Sequence, residues 1–157
     1  MAFYGSYVHA LDEKGRVAVP AKFRDSLLGG VVTKGPGFAL VMYPPSYWDK
    51  LVGERDYSDV ADQDYRDYLF HFFSSSQQVN WDAQGRLLLA PQLREHADLS
   101  RNVVFVGLNQ AVEIYSEEHF AERSKRIEPE SWERIRTRAA QVLGQGSIPT
   151  SGAEVQA

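Results

Sequence analysis

Short apolar runs, broken by glycine, proline and clusters of polar residues, set the rhythm of this chain and predict its elements. Residues 5–11 read as a strand that leads into a tight turn, with Arg16 to Val19 as its partner strand. A helical pattern runs from Ala21 to Leu28 and stops at Gly29-Gly30. A strand at Val31-Val32-Thr33, a turn at Lys34-Gly35-Pro36-Gly37 and a strand from Phe38 to Met42 follow. Tyr43-Pro44-Pro45-Ser46 then breaks the sheet and opens a helix carrying Tyr47, Trp48 and Leu51.

Residues 53–62 are polar, hold four acidic groups and read as a loop. From about Ala61 the spacing of Tyr65, Tyr68, Leu69, Phe72 and Phe73 predicts a helix with an aromatic stripe, suited to a core or a subunit interface. His71 beside the stripe reads as a structural histidine. Ser74-Ser75-Ser76 ends that helix, and Gln77 to Trp81 returns to strand. A helix from Gln92 to Ala97, strands at 103–106 and 111–115, and a helix start at Ser116-Glu117-Glu118-His119 complete the series. Pro129 begins a last helix with Trp132, Ile135, Ala139 and Leu143 near one face and Arg134, Arg136 and Arg138 on the other; Gly144 ends it.

The second series replays the first. Asp12, Gly15, Arg16 and Arg24 recur 70 positions later as Asp82, Gly85, Arg86 and Arg94, and three apolar residues follow the first arginine in both copies. Tyr43 to Trp48 likewise matches Tyr115 to Phe120, so the repeat spans a whole β-β-α-β-β-α unit. Two copies are too few for a solenoid and predict a pseudo-two-fold domain made of two similar halves. Residues 1–76 form the first half and 77–128 the second. The last helix occupies 129–144, and 145–157 form a disordered tail dispensable for folding. Asp-x-x-Gly-Arg is a turn in which the aspartate can bond backbone groups just ahead and the glycine takes a positive φ. Asp12, Gly15, Asp82 and Gly85 are therefore loop-forming residues.

Composition narrows the function classes. A chain of 157 residues with 43% hydrophobic content supports one real core. It has no cysteine, which removes disulfides and thiolate chemistry. No signal peptide is evident, and no apolar stretch is long enough for a membrane span, which suits the cytosol. The four histidines, His9, His71, His96 and His119, lack paired metal-ligand spacing, and there is no phosphate-binding glycine loop or nucleophile elbow. Neither an enzyme nor a metal or other cofactor is expected. The net charge of −4 weighs against nucleic acid unless basic groups are concentrated locally.

The order Gly5, Asp12-x-x-Gly15-Arg16 with Val19-Pro20-Ala21-Lys22-Phe23-Arg24, Val41-Met42-Tyr43-Pro44, then Asp82-x-x-Gly85-Arg86 with Ala90-Pro91-x-Leu93-Arg94, resembles the bacterial MraZ family over residues 1–143. Asn109 and Tyr115 depart from the glycine and tryptophan common there. The resemblance implies an α+β fold: two AbrB-like halves forming one swapped-hairpin barrel with flanking helices. It implies a nucleoid-associated transcriptional regulator whose gene heads the division and cell-wall cluster. Such a protein would form ring-like homo-oligomers on closely spaced double-stranded repeats of its own promoter, mostly as a repressor. On that reading Arg16 and Arg86 reach base edges, and Lys14, Lys22 and Arg24 hold phosphates. Gln84 stands where the first loop has Lys14, so the halves contribute unequally. The rival is an assembly protein that uses the same aromatic surfaces and keeps its arginine loops as structure.

Overall fold

The computed structural model describes residues 2–53 and 61–144, and the chain divides into two compact units, residues 1–120 and residues 121–157. Most of the acidic loop and all of the expected tail lie outside the described residues. The first unit is a mixed α+β structure around a mostly antiparallel sheet. Its first repeat supplies β1 (Ser6–Ala10), β2 (Arg16–Ala18), α1 (Ala21–Leu27), β3 (Val31–Lys34), β4 (Leu40–Tyr43) and α2 (Pro45–Val52). After α3 (Gln63–Ser74), the second repeat supplies β5 (Gln77–Gln78), β6 (Arg86–Leu88), α4 (Pro91–His96), β7 (Asn102–Gly107), β8 (Val112–Ser116) and the start of α5 (Glu117–Lys125), whose residues from 121 onward belong to the second unit.

Strand pairing corrects one expectation. β2 is not the ladder partner of β1: the two meet only at the Leu11–Val17 bridge, at the base of their turn. Instead β1 pairs with β7 and β2 with β6, all antiparallel and all across the repeats. The pairings obey the pseudo-two-fold. β1 with β7 has its mate in β5 with β3, β3 with β4 has its mate in β7 with β8, and the β4–β8 and β2–β6 pairs map onto themselves. The six-stranded order is β1-β7-β8-β4-β3-β5, beside the β2–β6 ribbon. β5 is shorter than the strand expected over 77–81, although Val79 still exchanges backbone bonds with Gly29 and Gly30.

Matching positions of both repeats fill one core. Val17 and Leu87, Val19 and Leu89, Phe23 and Leu93 are all essentially buried. The two-residue period of β2 and β6 sends Val17 and Leu87 inward and therefore Arg16, Ala18, Arg86 and Leu88 to the opposite face. Asp62 caps α3 by accepting the Tyr65 N–H at 2.9 Å. At its other end the buried Thr33 and Ser75 hydroxyls bond the last carbonyls, which stops the helix against β3. The aromatic stripe on α3 does not enter the core: no residue of this helix is buried, and Tyr68, Phe70 and Phe73 are largely exposed. Trp48 of α2 stacks on Phe72, and together the two helices line a cleft of about 100 Å³ with Tyr43, Leu51 and Leu69.

The second unit contains α6 (Pro129–Leu143), which begins with proline in its first turn and ends at Gly144 with φ 79°. Trp132, Ile135 and Ala139 are half-buried, as are Ser131 and Arg136, whereas Leu143 is exposed. Among the described residues no helix is long and apolar enough to cross a membrane. Because the core belongs to both repeats, Leu87→Ala should destabilise the whole fold by about 2–5 kcal/mol. Urea titration should show this as one shifted transition of residues 1–120; two separate transitions, with only the second repeat weakened, would contradict a shared core.

Candidate nucleic-acid interface

Each Asp-x-x-Gly-Arg segment folds into the same clamp. The Asp12 Oδ1 atom accepts the backbone N–H of Lys14 and of Arg16, both at 2.9 Å, and Oδ2 accepts Arg16 Nε at 2.7 Å. In the second loop Asp82 Oδ1 accepts from Gln84 and Arg86 at 2.9 Å, and Oδ2 from Arg86 Nε at 2.7 Å. Gly15 and Gly85 close the turns through bonds to the Asp12 and Asp82 carbonyls, with φ of 84° and 73°. That left-handed geometry is why glycine stands there. Both Asp carboxyls are held below the ordinary aspartate value of 3.8, chiefly by the backbone N–H of the arginine; partial desolvation opposes this, and the guanidinium hydrogen bond adds to the lowering.

The β2–β6 register brings the two clamps together. Arg16 lies opposite Leu88 and Arg86 opposite Ala18, so both arginines leave the same face of the ribbon. Arg86 Nη1 also stands 3.6 Å from Asp12 Oδ2, which ties the second loop to the first. The halves are not equivalent. Gln84 Oε1 accepts from Arg86 Nη2 at 2.7 Å, whereas Lys14 offers no acceptor and is exposed. Among the described residues Arg16 has no partner beyond Asp12, which leaves its Nη edge available. Both arginine side chains remain about a third exposed, at 32% and 29%.

Lys22 is exposed on α1, with its ammonium 5.7 Å from the centre of the Tyr7 ring. Arg24 is bonded within the fold. Its Nη2 donates to the Val19 carbonyl at 3.0 Å, its Nε is buried, and its guanidinium packs against Gly85 of the other repeat. The short α1 turns this side chain inward, beneath the loops. Sequence reasoning passed over Leu88 and Arg94. Leu88 is 55% exposed on the arginine face and could be found only by knowing the β2–β6 register. Arg94 recurs with Arg24 at the repeat offset, a signal present in the sequence itself.

The sequence profile of the family described as "MraZ protein, putative antitoxin-like" matches residues 2–70 and again residues 72–143. This chain belongs to the MraZ family. A protein of Thermomicrobium roseum named transcriptional regulator MraZ is 38% identical over 129 residues, covering 82% of this chain and 91% of its own length. Relatives of the same name in Syntrophomonas wolfei and Heliobacterium modesticaldum are 35% and 37% identical over 134 residues, covering 85% of this chain and 93% of theirs. The family profile repeats along the chain as the Asp-clamped loops do, one loop to each match.

The clamps give the fold a defined response to acid. An aspartate held low in the folded chain stabilises it fully above its unfolded value and loses that contribution as pH falls through the folded value. The stability gap between the native chain and an Asp12→Asn/Asp82→Asn variant should therefore be constant above pH 3.8 and close below it. Parallel melts across that range check this; a gap that persists unchanged into strong acid would contradict it.

Proposed function

We propose that this chain is a sequence-specific transcriptional regulator that reads double-stranded promoter DNA with the loops at 12–16 and 82–86. The observation that carries the reading is the placement of two Asp-clamped arginines on one face of a ribbon built from both repeats. A guanidinium oriented through Nε keeps its Nη edge for guanine O6 and N7, a contact worth roughly 1–3 kcal/mol of discrimination. Arg16 takes that role with its Nη edge as it stands, and Arg86 takes it by exchanging its Gln84 bond for the base. Lys14 and Lys22, both exposed, supply phosphate contacts, and Gln84 steadies Arg86. Leu88 offers an apolar group between them, suited to a thymine methyl. The relatives' name, transcriptional regulator, agrees with this reading. On this reading the chain works in the cytoplasm, at the nucleoid.

The exchanged strand pairing supports the swapped-hairpin barrel as the description of the core. A net charge of −4 makes a single copy a weak DNA ligand, so the reading includes a ring-like homo-oligomer on tandem repeats of its own promoter, acting as a repressor. The exposed aromatic face of α3 supplies apolar surface for that assembly. Light scattering at micromolar concentration should find multiples of the 17.7 kDa chain; a purely monomeric species would overturn the ring.

The decisive variant for DNA reading is Arg16→Ala/Arg86→Ala. Each arginine–aspartate pair is partly exposed and screened by solvent, so the melt should move little. Gel shifts with DNA upstream of the gene, at physiological salt and with competitor DNA, should show the native complex and lose it in the variant. No native complex would favour the assembly protein. A collapsed melt in the variant would return the arginines to a structural role.

A further inference from the structure

We propose that Arg24 and Arg94 are positioning residues, each bracing the arginine loop of the opposite repeat from within. The geometry is reciprocal. Gly15 and Gly85 sit at turn tips yet are buried, because an arginine from the other repeat lies against each. A methyl group on Gly15 would stand 2.7 Å from Arg94 Nε and 2.8 Å from its Cζ. One on Gly85 would stand 2.5 Å from Arg24 Cζ and 2.7 Å from its Nη1. Glycine is thus required twice over, for its positive φ and for the flat guanidinium beneath it.

Hydrogen bonds close each contact into a triangle. The Gly15 carbonyl accepts from the Leu89 N–H at 2.9 Å, and the Leu89 carbonyl accepts Arg94 Nε at 3.1 Å. In the mate, the Gly85 carbonyl accepts from Val19 at 3.4 Å, and the Val19 carbonyl accepts Arg24 Nη2 at 3.0 Å. The second triangle is looser, and it leaves the buried Arg24 Nε without a partner among the described residues. Unlike Arg16 and Arg86, these two arginines bond no carboxylate in the described structure; their bonds are to backbone carbonyls. Their planar fork fills a space that a lysine ammonium would fill poorly. The consequence is that neither loop is set by its own repeat alone, and the spacing of Arg16 from Arg86 is fixed by contacts running both ways across the pseudo-two-fold.

The functional half of this inference rests on the DNA reading above; the brace itself is tested without DNA. Arg94→Met keeps the aliphatic stem and removes the guanidinium. Amide hydrogen exchange on the full chain should accelerate at Lys14, Gly15 and Arg16 of the first loop and stay unchanged at Gln84, Gly85 and Arg86. Arg24→Met should give the reverse. Acceleration in a variant's own loop, or equally in both, overturns the brace. If a methionine variant does not fold, Arg94→Lys and Arg24→Lys should show the same crossed pattern at smaller amplitude. On upstream DNA each variant should lose affinity on the order of tenfold, within the range that one base contact provides. Its salt dependence should be unchanged, whereas loss of a phosphate contact would lower the slope by about one and would overturn the positioning role. Native protein that ignores upstream DNA would remove the DNA reading and leave the exchange pattern to decide the brace.

Discussion

Everything in the first unit hangs on three residue pairs between β2 and β6. Arg16–Leu88, Val17–Leu87 and Ala18–Arg86 are the register in which the two repeats meet on their own pseudo-axis. The inward pair seals the core, and the outward positions create the arginine face. A slip of one residue would turn one of the two strands over, sending its arginine into the core and its Val17 or Leu87 into water. Burying an unpaired guanidinium is costly enough to exclude that register, so the same contacts that select the fold also aim the arginines.

The local devices were legible in the sequence because they are short-range. The Asp12 and Asp82 clamps span four residues, and their turn glycines, the proline-led helix starts and Gly144 as a stop all act within one or two turns of chain. The partners of β1 and β2 were not legible. An adjacent strand is the simplest partner for a strand after a tight turn, and here the partners lie in the other repeat. The fate of Arg24 was hidden for the same reason. Its environment is Gly85, far along the chain, and that contact shows only once the exchange of strands is known. The α3 aromatics showed their periodicity but not their burial, since periodicity marks an apolar face without saying what covers it.

On the proposed reading, charge and assembly are linked. An acidic balance would leave DNA affinity to a few well-aimed groups, and aim depends on rigidity. The carboxylate clamps orient the outer arginines, and the inner arginines tie the clamps to the opposite repeat. A rigid pair of tips presented by each copy is the kind of module whose affinity grows when copies are linked, because ordering costs have been met during folding.

The most direct test of this account is an exchange footprint of the full chain with and without its upstream DNA. The account predicts protection on DNA binding at 12–18 and 82–88 together, with the face of α3 unaffected by DNA. Protection confined to one repeat, or centred on α6 while both arginine loops stay unprotected, would contradict it.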